Sequence, residues 1–129
     1  MSEVSQPPEP VKESARRFIV DLNSRDLEKL MQWFQEDAQL WIPPAPLVCG
    51  SKRIELLLKL IFRRYSDIQW EILELYQASD NVILVEMRSS GTFTSGKVYE
   101  NYLISLIKYS GSRKIFFISD YFKNTAIFY

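Results

Sequence analysis

The hydrophobic period of this chain changes once, between Tyr65 and Ile68, and that single change restricts the fold more than any other feature. Before it, apolar residues recur at the spacing of an amphipathic helix; after it, they alternate as in a half-buried strand. Val11, Ala15, Phe18, Ile19 and Leu22 follow Pro10 and mark a first helix, because proline is well placed at a helix start. Asn23-Ser24 ends it, and Asp26 is positioned to cap a second helix with Leu27, Leu30, Met31 and Phe34 as its apolar stripe. A short strand is expected over 38–42, stopped by Pro43 and Pro44, which have no N–H for a ladder. Gly50-Ser51 precede a third helix carrying Ile54, Leu57, Leu58, Ile61, Phe62 and Tyr65. Ile68, Trp70 and Ile72 then alternate with polar residues, and strands follow over 82–90, 99–109 and 115–122, separated by the turns Ser95-Gly96 and Ser110-Gly111-Ser112. Helices first and an antiparallel meander second define an α+β fold, with the helices gathered on one side of a curved sheet.

Histidine is absent, so a Ser-His-Asp triad, a Cys-His pair, His-ligated zinc and a histidine acid/base are all excluded. Lys plus Arg and Asp plus Glu both number 16, which removes any bulk electrostatic drive towards nucleic acid or an anionic membrane. No apolar run reaches the roughly 18 residues of a membrane span. The lone Cys49 has no partner for an intrachain disulfide, which points to a reducing, cytoplasmic setting. Residues 1–10 are polar and proline-rich without the apolar stretch of a signal peptide, and are expected to form a flexible tail before a domain over 11–129.

The last strand carries the most informative residue. By alternation Phe116, Ile118, Asp120 and Phe122 share a face, so one carboxylate sits in a row of large apolar groups. Either Asp120 lines a pocket, where desolvation raises its pKa, or it is neutralised by an Arg or Lys or lies beyond the strand in solvent. On the strand over 82–90, Ile83, Val85 and Met87 make one face. Glu86 and Arg88 share the other, an outer or dimer-interface face with a salt-bridge network. On the strand over 99–109 one face holds Tyr99, Asn101, Leu103, Ser105 and Ile107, and the period alone does not say which face is inside.

Several segments, in their order and spacing, resemble the SnoaL-like polyketide cyclases of the NTF2-like (ketosteroid isomerase-like) superfamily. They are the N-x-x-D-L turn at Asn23-Ser24-Arg25-Asp26-Leu27, the F-x-x-D-A segment Phe34-Gln35-Glu36-Asp37-Ala38, and Gly50 before the third helix. The hairpin segment Gly96-Lys97-Val98-Tyr99-Glu100-Asn101-Tyr102 and the closing Asp120-Tyr121-Phe122-Lys123-Asn124 complete the likeness, which covers nearly all of 11–128. The resemblance implies a cone, three N-terminal helices packed on a curved, mostly antiparallel sheet that encloses an apolar pocket. It also implies a homodimer through the open sheet face. It puts Tyr99, Asn101, Ser105, Phe116, Ile118, Asp120 and Phe122 on the pocket side.

Fold alone does not give function. The ketosteroid isomerase positions are occupied here by Phe18, Ile42 and, roughly, Ser105, so that mechanism is not available. The Asp-Arg-Asp set of limonene-epoxide hydrolase-like members cannot be assembled from pocket-facing positions. The acid/base aspartate of the SnoaL-like cyclases falls at Asp120, although their helper histidine has no counterpart. The resemblance thus implies a cofactor-independent, metal-free cyclase, isomerase or dehydratase acting on a small hydrophobic, ring-bearing or polyketide-like molecule. Asp120 would be the acid/base, with Tyr99 and Asn101 orienting a carbonyl. Phe18, Trp41, Met87 and Leu103 would line the ligand site. Ser105, Phe116, Ile118 and Phe122 would line it with them. The alternative is a non-catalytic pocket or dimeric scaffold with the same fold, in which Asp120, Tyr99 and Asn101 are buried polar groups that hold the sheet.

Overall fold

The computed structural model describes residues 8–129, so residues 1–7 of the expected tail lie outside the described residues. The helix α1 (Val11–Ser24) begins directly after Pro10 and buries Val11, Ser14, Ala15, Phe18 and Ile19 on one stripe. It ends because Arg25 takes a left-handed conformation, φ 57°, and returns its N–H to the Leu22 carbonyl. Two side chains at this end fix α1 to the sheet. Asn23 donates to the Trp70 carbonyl (2.9 Å) and accepts from the Trp70 N–H (2.8 Å). The Arg25 guanidinium donates to the carbonyls of Phe62, Tyr65 and Ser66.

Asp26 caps α2 (Leu27–Met31) as its type and place require, accepting from the N–H groups of Glu28 (3.1 Å) and Lys29 (3.3 Å). This helix is shorter than the apolar stripe suggests. Phe34 does not extend it but opens β1 (Phe34–Trp41), four residues before the expected strand start. A two-residue strand, β2 (Val48–Cys49), follows the proline loop and had no readable period. Gly50, with φ 96°, occupies the N-cap of α3 (Ser51–Arg63), a backbone angle that disfavours any side chain. Ile54, Leu58 and Phe62 form its buried stripe.

The remaining strands are β3 (Tyr65–Gln77), β4 (Val82–Phe93), β5 (Val98–Tyr109) and β6 (Ile115–Phe122). A 3-10 turn, Ala126–Phe128, closes the chain. The six strands form one open sheet in the order β2-β1-β6-β5-β4-β3, with β1 and β6 parallel and every other pair antiparallel. The helices α1 and α3 lie on its inner face, so the α+β architecture expected from the change of period is the one found. β5 alternates cleanly, with Tyr99, Asn101, Leu103, Ser105, Ile107 and Tyr109 all buried, which settles which of its faces is inside.

Two of the register shifts in the sheet set the placement of named residues. In β6 the register shifts between the pairs Lys108↔Phe117 and Tyr109↔Ile115, leaving Phe116 as an extra residue. Ile115 and Ile118 therefore both point inward, and Phe116 turns outward at 39% exposure. On β4, Gly91 lies so close to β3 that a Cβ there would stand 2.1 Å from the Asp67 carbonyl oxygen. The backbones approach at the bulge between Tyr65 and Asp67, where the long hairpin bends over the helices. The outer face carries Arg88, which bridges Glu71 (3.8 Å) and Glu100 (2.9 Å) on the two neighbouring strands. Glu86 shares that face but accepts from the Tyr76 hydroxyl (3.1 Å) instead. Among the described residues no helix is long and apolar enough to cross a membrane.

Candidate active site

Between α1, α3 and the inner face of the sheet lies a cavity of about 340 Å³. Its walls are apolar because each element contributes its buried stripe: Phe18 and Leu22 from α1, Leu58 and Phe62 from α3, Ile68 and Trp70 from β3, Met87 from β4. Pro43, Pro44 and Ala45 of the loop after β1, with half-exposed Leu60 of α3, form the rim. Phe122 and Phe128 close the end near Tyr99.

Only two charged side chains belong to this lining, Asp120 and Arg64. Arg64 is exposed, stacked over the Phe93 ring (5.9 Å) and within 3.5 Å of the Phe128 carbonyl oxygen. Asp120 is interior. It lies on β6 directly opposite Ser105 of β5, and Ser105 Oγ donates to its Oδ1 at 2.5 Å. Among the described residues Asp120 has no ion pair; it is partly buried and lines the cavity. Burial therefore governs its ionisation: desolvation pushes the carboxyl up to about 7, against a smaller opposing effect of the Ser105 hydroxyl. A carboxyl at that value holds comparable amounts of acid and base near neutral pH, as a group that both takes and returns a proton requires.

Two buried phenols also line the cavity, Tyr65 and, near Asp120, Tyr99. The Tyr99 hydroxyl pairs with Ser89 Oγ at 2.9 Å, and its ring packs between Tyr65 (5.2 Å), Phe93 (5.3 Å) and Phe128 (5.9 Å). Burial raises its pKa, and the nearby Asp120 charge adds to the rise, so the phenol stays neutral and able to donate.

Of the residues expected at a ligand site, Phe18, Met87, Ser105, Ile118 and Phe122 line the cavity, together with Asp120 and Tyr99. Four others lie elsewhere. Asn101 is 3% exposed and inward, but its amide is engaged: Nδ2 donates to the Asn124 carbonyl (2.8 Å), and Oδ1 accepts from the N–H groups of Tyr102 (3.0 Å) and Asn124 (3.2 Å). It does not line the cavity, so no donor of its amide faces a molecule held there. Leu103 is buried in the main core without reaching the cavity. Trp41 points to the outer side of β1 at 47% exposure, and Phe116 is turned outward by the β6 bulge. Conversely, Trp70 and Phe128 line the cavity and had not been singled out. The place of Trp70 in the row Ile68, Trp70, Ile72 was the available signal; Phe128 had none, because it belongs to no periodic segment.

Among the described residues no group of three or more acidic or Cys side chains gathers to hold a metal. What the arrangement offers chemically is one proton-exchanging carboxyl and two neutral phenols, Tyr99 and Tyr65, in an apolar space.

Comparison with known proteins places this geometry in a family. No curated protein matches the chain. Among solved structures, a protein of Jannaschia sp. CCS1 described as a SnoaL-like polyketide cyclase superposes with a TM-score of 0.81 at 9% identity, covering 99% of this chain and 95% of that one. The epoxide hydrolase/cyclase-like enzyme SalBIII, of pyran ring formation in the polyether salinomycin, gives 0.78 at 13% identity, covering 88% and 91%. An NTF2-like protein of Anabaena variabilis ATCC 29413 gives 0.74 at 22% identity, covering 96% and 95%. At these identities the likeness is one of fold. The model of the SnoaL-like domain matches residues 15–115, most of the described chain, and the protein belongs to that family.

Proposed function

We propose that the protein is a cofactor-independent cyclase, isomerase or dehydratase that moves a proton on a small, neutral, ring-bearing or polyketide-like molecule held in the cavity, with Asp120 as the acid/base. The observation that carries this reading is the isolation of Asp120: a carboxyl inside an apolar cavity, hydrogen-bonded to Ser105 and without an ion pair among the described residues. Ionised, Asp120 takes a proton from the carbon next to a carbonyl; protonated, it returns that proton to another carbon or to a departing oxygen. Tyr99 donates to the oxygen on which the enolate charge collects. The apolar walls favour a substrate without charge, because a charged group there would lose its hydration without finding an interior partner. Neighbours described as cyclases and as an isomerase support the same class of chemistry by analogy of fold. A second copy of the chain packed on the open sheet face is part of the proposal; Tyr102, Ile104 and Tyr121 leave apolar surface there.

The test is exchange of solvent deuterium into the carbon next to the carbonyl of ring ketones such as 1-tetralone, followed by proton NMR. The wild type is expected to speed exchange, and Asp120→Asn to lower the enzymatic rate about 10²–10⁴-fold, the range of a positioned acid/base. Equal rates in the two proteins would defeat the proposal. The second reading, a binding pocket without turnover, is favoured by one observation: Asn101 is engaged elsewhere, leaving only the phenols of Tyr99 and Tyr65 as neutral donors beside the Asp120–Ser105 pair among the described residues. Binding of the ketone without exchange would select it.

A further inference from the structure

The segment after β6 has no strand or helix of usual length to hold it, yet it closes one end of the cavity. Lys123 N–H donates to the Tyr102 carbonyl (2.9 Å), carrying the chain along β5 for one more residue. Asn124 is then held from both sides by Asn101, through its N–H and through its carbonyl. Its own side chain accepts from the Ala126 N–H (3.1 Å) and so opens the 3-10 turn. That turn delivers the Phe128 ring to 4.9 Å from Phe122 and 5.9 Å from Tyr99, and Ile127 packs beside it on the Tyr65–Phe93 cluster. Tyr129, one residue later, is 89% exposed. Two hydrogen bonds from one buried amide to Asn124 thus place a ring that nothing in the preceding strand would place.

Resting on the reading that the cavity takes an apolar ligand, we infer that Phe128 is the residue that sets the length of molecule admitted, and that Asn101 is its positioning residue. The other walls are strands and helices knitted into the sheet and the main core. The Phe128 wall is a six-residue segment anchored chiefly at Asn124, so it is the wall whose removal changes the shape of the cavity with least disturbance to the fold. Asn101 lies outside the lining and acts through the segment it holds.

The experiment measures Kd for two neutral ring ketones, 1-tetralone and the longer androst-4-ene-3,17-dione. The readout is the emission of Trp70, the one tryptophan of the lining. Phe128→Ala and Phe128→Leu, a milder change that preserves the fold, are compared with Asn101→Ala. The expected result is a shift of the affinity ratio towards the longer ketone, about tenfold or more in Phe128→Ala, the scale of a change in pocket size. Phe128→Leu is expected to shift it less, and Asn101→Ala in the same direction as Phe128→Ala. A purely structural role for Asn101 would weaken both ketones alike and leave the ratio where it was, which overturns the positioning role. An unchanged ratio in both Phe128 variants, with 1-tetralone still bound by the wild type, overturns the inference and leaves the proposed function standing. No binding of either ketone by any protein overturns both.

Discussion

Ser105 and Asp120 face each other across the β5–β6 ladder, and the Ser105 hydroxyl donates to Asp120 Oδ1 at 2.5 Å. Because Asp120 has no ion pair among the described residues, this hydroxyl is what steadies the ionised carboxylate against desolvation. Ser105→Ala is therefore expected to move the Asp120 midpoint upwards, by roughly one unit if the hydrogen bond contributes about 1–2 kcal/mol to the charged form. Carbon-detected NMR of the carboxyl in the variant checks it. A midpoint that falls or stays put would show that Ser105 does not stabilise the carboxylate.

The same burial makes stability depend on pH. The native Asp120 titrates near 7 and an unfolded aspartate near 3.8, so between these values the folded protein binds a proton that the unfolded chain has released. Its contribution is fully present below about pH 4 and is lost as pH rises through about 7. At about 1.4 kcal/mol per unit the whole loss is on the order of 4–5 kcal/mol. Asp120→Asn removes this titration and leaves Ser105 an acceptor. Urea unfolding at pH 4.5 and pH 8.5 is expected to show the variant gaining stability relative to the wild type at the higher pH. A constant difference between the two proteins across that range contradicts the assignment.

Gly91 is a place where the hairpin tolerates no side chain. A Cβ there would meet the Asp67 backbone at 2.1 Å, and a main chain cannot rotate away as a flexible side chain can. Gly91→Ala is expected to cost several kcal/mol, in the range of severe single substitutions, roughly 3–5. Thermal melts read the effect. A loss below about 1 kcal/mol would mean that the bulge at Tyr65–Asp67 absorbs the methyl group.

On the outer face Ile104 lies opposite Tyr121 of β6 and Glu86 of β4, at 38% exposure. If a second copy covers this surface, Ile104→Glu places a carboxylate beside Glu86 in a buried interface and should weaken the dimer by about 2 kcal/mol or more. Light scattering after size-exclusion chromatography gives the mass. A wild type that elutes at 15.2 kDa at micromolar concentration contradicts the dimer.

How much of this was readable in the sequence differs by element. Asp120 was found because alternation holds over 118–122, where the β5–β6 register is regular. Phe116 was misplaced by the same rule, since a bulge inverts alternation without any residue type announcing it. Asn101 was put on the correct face, but a face does not name a partner, and its partner Asn124 is 23 residues away in an aperiodic segment. Phe34 was read onto the helix before it because one apolar residue fits either period. The helices α1 and α3 and the strands β4 and β5 were legible because each keeps one period over a dozen residues or so.

The ionisation of Asp120 carries the account, and it can be observed without knowing any substrate. Labelled at the aspartate side-chain carbons and assigned by comparison with Asp120→Asn, the wild-type carboxyl is to be followed from pH 3 to pH 9. A midpoint near 7 is the predicted result. A midpoint near 3.8, that of an ordinary solvated aspartate, would show that Asp120 does not sit in a dry cavity and would remove the basis for its acid/base role.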